Sequence, residues 1–116
     1  MLQKLLSLFR KAPAAKAPLM RSAKWPAVRD AWLKDHPTCA ACGARDKLNV
    51  HHKRPFHLFP AVELAPANFV TLCEGDGCNC HLAFGHALNW SAYNPHVDED
   101  AARFLERVKH RLAADQ

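Results

Sequence analysis

The sequence predicts a small α+β domain in which two short strands, joined by an irregular connection, are flanked by an N-terminal and a C-terminal helix. Three observations predict it. Apolar residues recur at helical spacing in two separate stretches, Trp25–Val28–Trp32 and Ala101–Phe104–Leu105–Val108–Leu112. Two short β-branched runs, Leu48-Asn49-Val50 and Phe69-Val70-Thr71-Leu72, lie between them. The chain has 116 residues, 49% of them hydrophobic, which suffices for one modest core and calls for a staple.

The first helix is expected from about Lys24 to Lys34. Pro26 falls in its first turn, where a missing N–H costs nothing, and Pro37 stops it. Its tryptophans read as core residues rather than stacking platforms. Residues 53–66 contain three prolines and are expected to form an irregular loop ending at Asn68. A short helix is expected from near Cys80 to about Leu88, and Asn94-Pro95 marks a turn. The last helix is expected after Asp98, with Asp98, Glu99 and Asp100 at its positive end.

Residues 1–22 read as an appended basic tail, leaving 23–116 as the domain. Leu2, Leu5, Leu6 and Phe9 fit a short amphipathic turn, and Lys4, Arg10, Lys11, Lys16 and Arg21 are suited to phosphate contact. The opening segment lacks the apolar core and cleavage site of a signal peptide. No apolar run approaches the roughly 20 residues of a membrane span. A formal charge of +5 with eight neutral histidines favours a polyanionic partner, most simply nucleic acid.

Five cysteines, an odd number, fit a closed set of disulfides poorly. Reduced thiols on a metal, in a cytoplasmic setting, fit better. Cys39-Ala-Ala-Cys42 is half of a tetrahedral zinc site, and the other half must come from Cys73, Cys78 and Cys80. Cys78 and Cys80 lie too close in sequence to chelate together without strain. The favoured set is Cys39, Cys42, Cys73 and Cys80, with Cys78 as the alternative fourth ligand. Such a structural Zn²⁺ would make binding energy into folding energy.

A second cluster comprises His51-His52, Asn68, His81 and His86. Adjacent residues at a strand end project to opposite faces, so one imidazole can ligate a metal while its neighbour faces substrate. A closed four-thiolate zinc has no open position, so the chemistry would need a second ion in a nitrogen site. A ligand and a general base must both be neutral imidazoles near pH 7. His86 can add a metal or phosphate contact, or can cap or fill its helix. Lys53 and Arg54, directly after the pair, are placed to touch phosphate.

On Cys39-x-x-Cys42, Val50-His51-His52, Pro66-Ala67-Asn68-Phe69-Val70-Thr71-Leu72-Cys73 and Cys80-His81, the chain resembles the HNH endonucleases, a ββα-metal family. The resemblance runs from about Trp25 to Pro95. Gly85-His86, Trp90 and Asn94-Pro95 look like a zinc-stapled subgroup of bacteria and phages. The resemblance implies a ββα-metal core and hydrolysis of DNA to 5′-phosphate and 3′-hydroxyl ends. It implies that His51 and His81 hold the catalytic ion, that His52 is the general base, and that Asn68 holds the His52 ring by a hydrogen bond. It also implies phage packaging or restriction machinery as company. His51 stands where the family often has Asp, which makes the site less anionic. Mn²⁺, Ni²⁺, Co²⁺ or Zn²⁺ then compete with Mg²⁺.

The alternative is a non-catalytic zinc-stabilised module that binds nucleic acid. Such a module needs neither the imidazole pair nor Asn68 and His81. A zinc deaminase is excluded because no His-x-Glu precedes the Cys pair.

Overall fold

The computed structural model describes residues 20–115. The tail residues up to position 19, with the expected amphipathic turn and most of the basic arm, lie outside the described residues. The rest is a small mixed α/β structure. Helix α1 (Trp25–Asp35) leads to strand β1 (Leu48–His52), and two single-turn 3₁₀ segments (Pro60–Val62, Pro66–Asn68) precede strand β2 (Phe69–Cys73). A π-helical turn (His81–Gly85) and helix α2 (Val97–Ala114) complete it. Among the described residues, no helix is long and apolar enough to cross a membrane.

The strands pair antiparallel, Leu48 opposite Cys73 and His52 opposite Phe69. Residues opposite one another share a face, so the pleat sorts the sheet into two working sides. One side carries Phe69 and Thr71 toward α1. Trp25 and Trp32 set their ring edges on Phe69 at 5.5 and 5.4 Å, and the Trp32 indole N–H donates to Thr71 Oγ1 at 2.9 Å. Both tryptophans therefore pack on the sheet, but they stay half-buried, and α1 adds no fully buried residue to the core that the sequence expected them to join. The other side carries Val70 and Leu72 into a core with Cys39, Ala41, Val97 and Ala101.

The loop between the strands keeps Pro60 and Pro66 at the start of its two 3₁₀ turns, where no N–H is required. Helix α2 begins at Val97 and holds Asp98, Glu99 and Asp100 in its first turn, against the positive end of the helix dipole. Its expected stripe is only half used. Ala101 is buried and Phe104 packs on Phe84 with ring centroids 5.1 Å apart, but Leu112 is 61% exposed. The helix runs on beyond the surface that its first turns cover.

The expected helix from Cys80 to Leu88 is not α-helical. Its backbone closes an i→i+5 bond, His86 N–H to His81 carbonyl at 3.1 Å, and ends on Ala87 and Leu88 at φ +51° and +67°. Positive φ at two non-glycine residues is uncommon and is held by surrounding structure. The Asn94 side chain supplies part of that hold by donating to the Phe84 carbonyl and to Asp100, while Asn94 N–H donates to the Gly85 carbonyl.

Burial predicts where the fold is sensitive. Leu72 is fully buried, so Leu72→Ala should cost about 2–5 kcal/mol. Leu112→Ala should change stability by no more than about 0.5 kcal/mol. Urea unfolding in the presence of zinc checks both.

Candidate metal centres

Two donor clusters form where the sheet meets the segments after it. Cys39, Cys42, Cys73 and Cys80 bring their sulfurs within 4.8 Å of one another. The Cys39–Ala44 turn shapes the first half. Gly43 sits at φ +80°, its N–H donates to the Cys39 carbonyl, and Cys39 N–H donates to the Ala44 carbonyl. This left-handed position suits glycine and points both thiols inward. The second half comes from the end of β2 and the start of the π turn.

Cys42 and Cys73 lie 3.6 Å apart, close to the roughly 3.8 Å edge of a tetrahedron with 2.3 Å metal–sulfur bonds. Cys78 lies 3.7 Å from both Cys73 and Cys80, but it is exposed, whereas Cys39, Cys73 and Cys80 are buried. The fifth thiol thus sits on the rim of the expected four. All five cysteines are free thiols.

Burial pushes the Cys42 thiol up to about 12 and Cys80 up as well. Burial opposes ionisation of Cys73 too, yet hydrogen bonds from the Cys80 backbone and the neighbouring thiols hold it below its ordinary value. Metal binding at such a cluster displaces the thiol protons. The four-cysteine cluster can hold a metal ion such as zinc.

The second cluster is His51, His81 and His86. His51 closes β1, while His81 and His86 bracket the π turn. In an α-helix, residues five apart point in different directions; the i→i+5 closure stacks their rings on one side. His81 Nε2 faces His51 Nδ1 at 3.1 Å and His86 Nε2 at 3.2 Å. Metal–nitrogen bonds of 2.0–2.1 Å at tetrahedral angles would separate such nitrogens by about 3.3 Å. His86 Nδ1–H donates to the Ala92 carbonyl at 2.7 Å, so its Nε2 lone pair faces the cluster. His51 Nε2 and His81 Nδ1 are buried without hydrogen-bond partners.

His51 and His81 resist protonation. His51 is pushed down to about 3, first by burial and then by repulsion from His81 and His86. Burial also lowers His81, with repulsion from His86 adding to it. Three imidazoles with converging nitrogens are a donor set that could hold a metal ion. Gly85 makes the approach feasible, because a Cβ there would lie 3.0 Å from the His51 ring. His86, left open by the sequence between metal contact and helix packing, joins the other two.

His52 takes the opposite face of the sheet. Its Nε2–H donates to the Glu63 carbonyl at 2.9 Å, and Trp25 packs on the ring with centroids 4.5 Å apart. That bond places the proton on Nε2 and leaves the lone pair on Nδ1. Burial lowers its pKa. His52 is 8% exposed, and it lines the same cavity of about 370 Å³ as His51, His81 and His86. Arg21, Phe56, His57 and Trp90 complete the walls that matter here.

The expected hydrogen bond from Asn68 to His52 is absent. Asn68 Oδ1 accepts from Arg54 N–H at 2.8 Å, and Nδ2 donates to the Arg54 and Val62 carbonyls. The side chain spans the loop mouth instead, and the loop returns the Glu63 carbonyl to the imidazole. Asn68 therefore reaches His52 through backbone rather than directly. Lys53 is paired with Asp98 at 2.8 Å, and Arg54 lies over the Phe59 ring, 5.5 Å from its centroid. Neither cation lines the histidine cavity.

Sequence reasoning gave three residues near the site no role in it. Glu63 is buried, and its carboxylate accepts the Ser22 N–H, with Arg21 at 3.8 Å. Glu74 lies 3.6 Å from His81 Nδ1. Trp90, 49% exposed, sets its ring 5.1 Å from His81 and 4.8 Å from His86. The only signal for Glu74 was its adjacency to Cys73. No family model matches the chain, and neither a curated protein nor a solved structure does.

Two substitutions separate the centres. Gly85→Ala should displace the His51 ring and reduce bound metal from two ions per chain to one, leaving the cysteine site filled. Cys39→Ser should lose the cysteine-site ion and the cooperative fold together. Elemental analysis of purified protein, with circular dichroism, checks both.

Proposed function

We propose that this chain is a metal-dependent endonuclease of the HNH type that hydrolyses DNA phosphodiester bonds to 5′-phosphate and 3′-hydroxyl ends. One observation carries the reading. Three imidazole nitrogens converge as an ion-holding set, and a fourth imidazole with its lone pair on Nδ1 opens on the same cavity. A zinc-folded binding module needs no such fourth ring. The β1–β2 hairpin followed by the π turn corresponds in this reading to the ββα-metal core, with the turn standing in for the start of its helix.

The residues take distinct tasks. His51, His81 and His86 hold the divalent ion, and the four-cysteine site holds structural Zn²⁺. The ion, when bound, supplies Lewis acidity at the scissile phosphate and the leaving oxygen. His52 Nδ1 accepts the proton of the attacking water, while the Glu63 carbonyl keeps the other proton on Nε2 and stabilises the imidazolium that results. Asn68 braces the loop that presents that carbonyl. Three neutral nitrogens favour Mn²⁺, Co²⁺, Ni²⁺ or Zn²⁺ over hard Mg²⁺. Exposed Arg21 supplies positive charge at the wall of the same cavity.

His52→Ala should abolish nicking of supercoiled plasmid, a loss of 100-fold or more on the order of a general base's contribution, with metal content and circular dichroism unchanged. Undiminished cleavage would remove His52 as base. Wild-type protein that binds DNA but never cuts it with any of these ions would leave the non-catalytic module. The lowered His52 pKa fixes the sign of the pH profile. The base stays unprotonated at neutrality, so the rate should be level there and fall with acid, with a midpoint below the ordinary imidazole value of 6.5. Single-turnover cleavage across pH measures it.

A further inference from the structure

We propose that Glu74 is a positioning residue for the histidine centre, its carboxylate taking the Nδ1–H of His81 and so fixing which nitrogen of that ring faces the ion. The three rings differ in what holds their outer nitrogen. His86 has the Ala92 carbonyl. His51 Nε2 has no partner. His81 Nδ1 also lacks a hydrogen bond, yet a carboxylate oxygen stands 3.6 Å away.

That carboxylate is held in place. Glu74 N–H donates to the Lys47 carbonyl at 2.8 Å, and the Asn49 side-chain amide donates to the same oxygen, Oε2, that faces His81. Asn49 lies two residues before His51, on the same face of β1. Glu74 therefore sits behind the His81 ring, with Nε2 pointing away from it toward His51 and His86. It is placed to accept the ring proton, not to join the donor set.

The chemistry favours this pairing. Three neutral imidazoles leave an ion's charge uncompensated, and an acidic residue directly behind one ligand supplies a negative charge one ring away. A carboxylate on the outer nitrogen also fixes the tautomer and makes the inner nitrogen a stronger donor. Ion binding raises the acidity of Nδ1–H, which draws the 3.6 Å contact toward hydrogen-bonding distance. Cys80-His81 links the two centres directly along the backbone, and Cys73-Glu74 links the cysteine cluster to the residue behind the His81 ring.

The proposal rests on the ion-holding reading of the three histidines, not on nuclease activity. Co²⁺ titration of zinc-loaded protein, followed by visible absorption of the nitrogen-bound ion, tests it without DNA. Glu74→Ala and Glu74→Gln should both weaken Co²⁺ binding by about 10–100-fold with zinc content unchanged, Gln the less severely because its amide oxygen still accepts. In a His81→Ala background, Glu74→Ala should add nothing. The Gln variant, matched in shape, decides the matter if the Ala variant does not fold. Wild-type binding that neither substitution changes by more than about twofold overturns the role of Glu74 and leaves the ion site standing. A wild-type protein with no nitrogen-bound Co²⁺ band overturns the site and the proposal together.

Discussion

Two paired strands of five residues do not stay folded in water by themselves, and the structure depends on what is done about that. The answer is the buried sulfur cluster. It draws together the turn after α1, the end of β2 and the start of the π turn, three segments distant in sequence. The apolar core around it is small, built on Leu72, Val97 and Ala101 with the cysteines themselves among its members. Sulfur here is both packing material and donor. Without a cation, burial works against ionising the thiols; with one, the same burial strengthens the bond. A metal ion bound there would couple its binding to folding.

The histidine centre inherits its geometry from that cluster. Cys80 is anchored, so His81 is aimed; Cys73 is anchored, so β2 holds β1 in register and His51 with it. Burial, with repulsion from neighbouring rings added to it, holds His51 and His81 below the ordinary imidazole value. His52 shares the strand of His51 but not its face. The alternation of a single strand therefore gives two neighbouring imidazoles different surroundings, one among nitrogens and the other against Trp25 and a carbonyl.

Much of this was readable from residue order. The knuckle spacing, the imidazole pair at a strand end and the apolar runs marked both donor clusters, α1, both strands and α2. What was not readable depended on tertiary context. The π turn has no residue signature of its own, and the close approach of Gly85 to the His51 ring is visible only in the fold. The partner of His52 is a backbone carbonyl, which has no residue signature, so an amide side chain was credited with its task. Glu74 was hidden because its role comes from strand register, which puts Asn49 and His51 on its side. Leu112 continued a clean periodic pattern past the point where anything remained for it to cover.

The π turn has one more implication, concerning length rather than composition. His81 and His86 share a side only because the turn between them is wound wider than an α-helix. Adding or removing a residue there would swing His86 by about 100° around the axis. Exchanging Leu82, Ala83 or Phe84 for another residue leaves that angular phase alone. In this stretch an indel is therefore a more drastic event than a substitution, and its spacing is the property that divergent copies of the chain would have to keep.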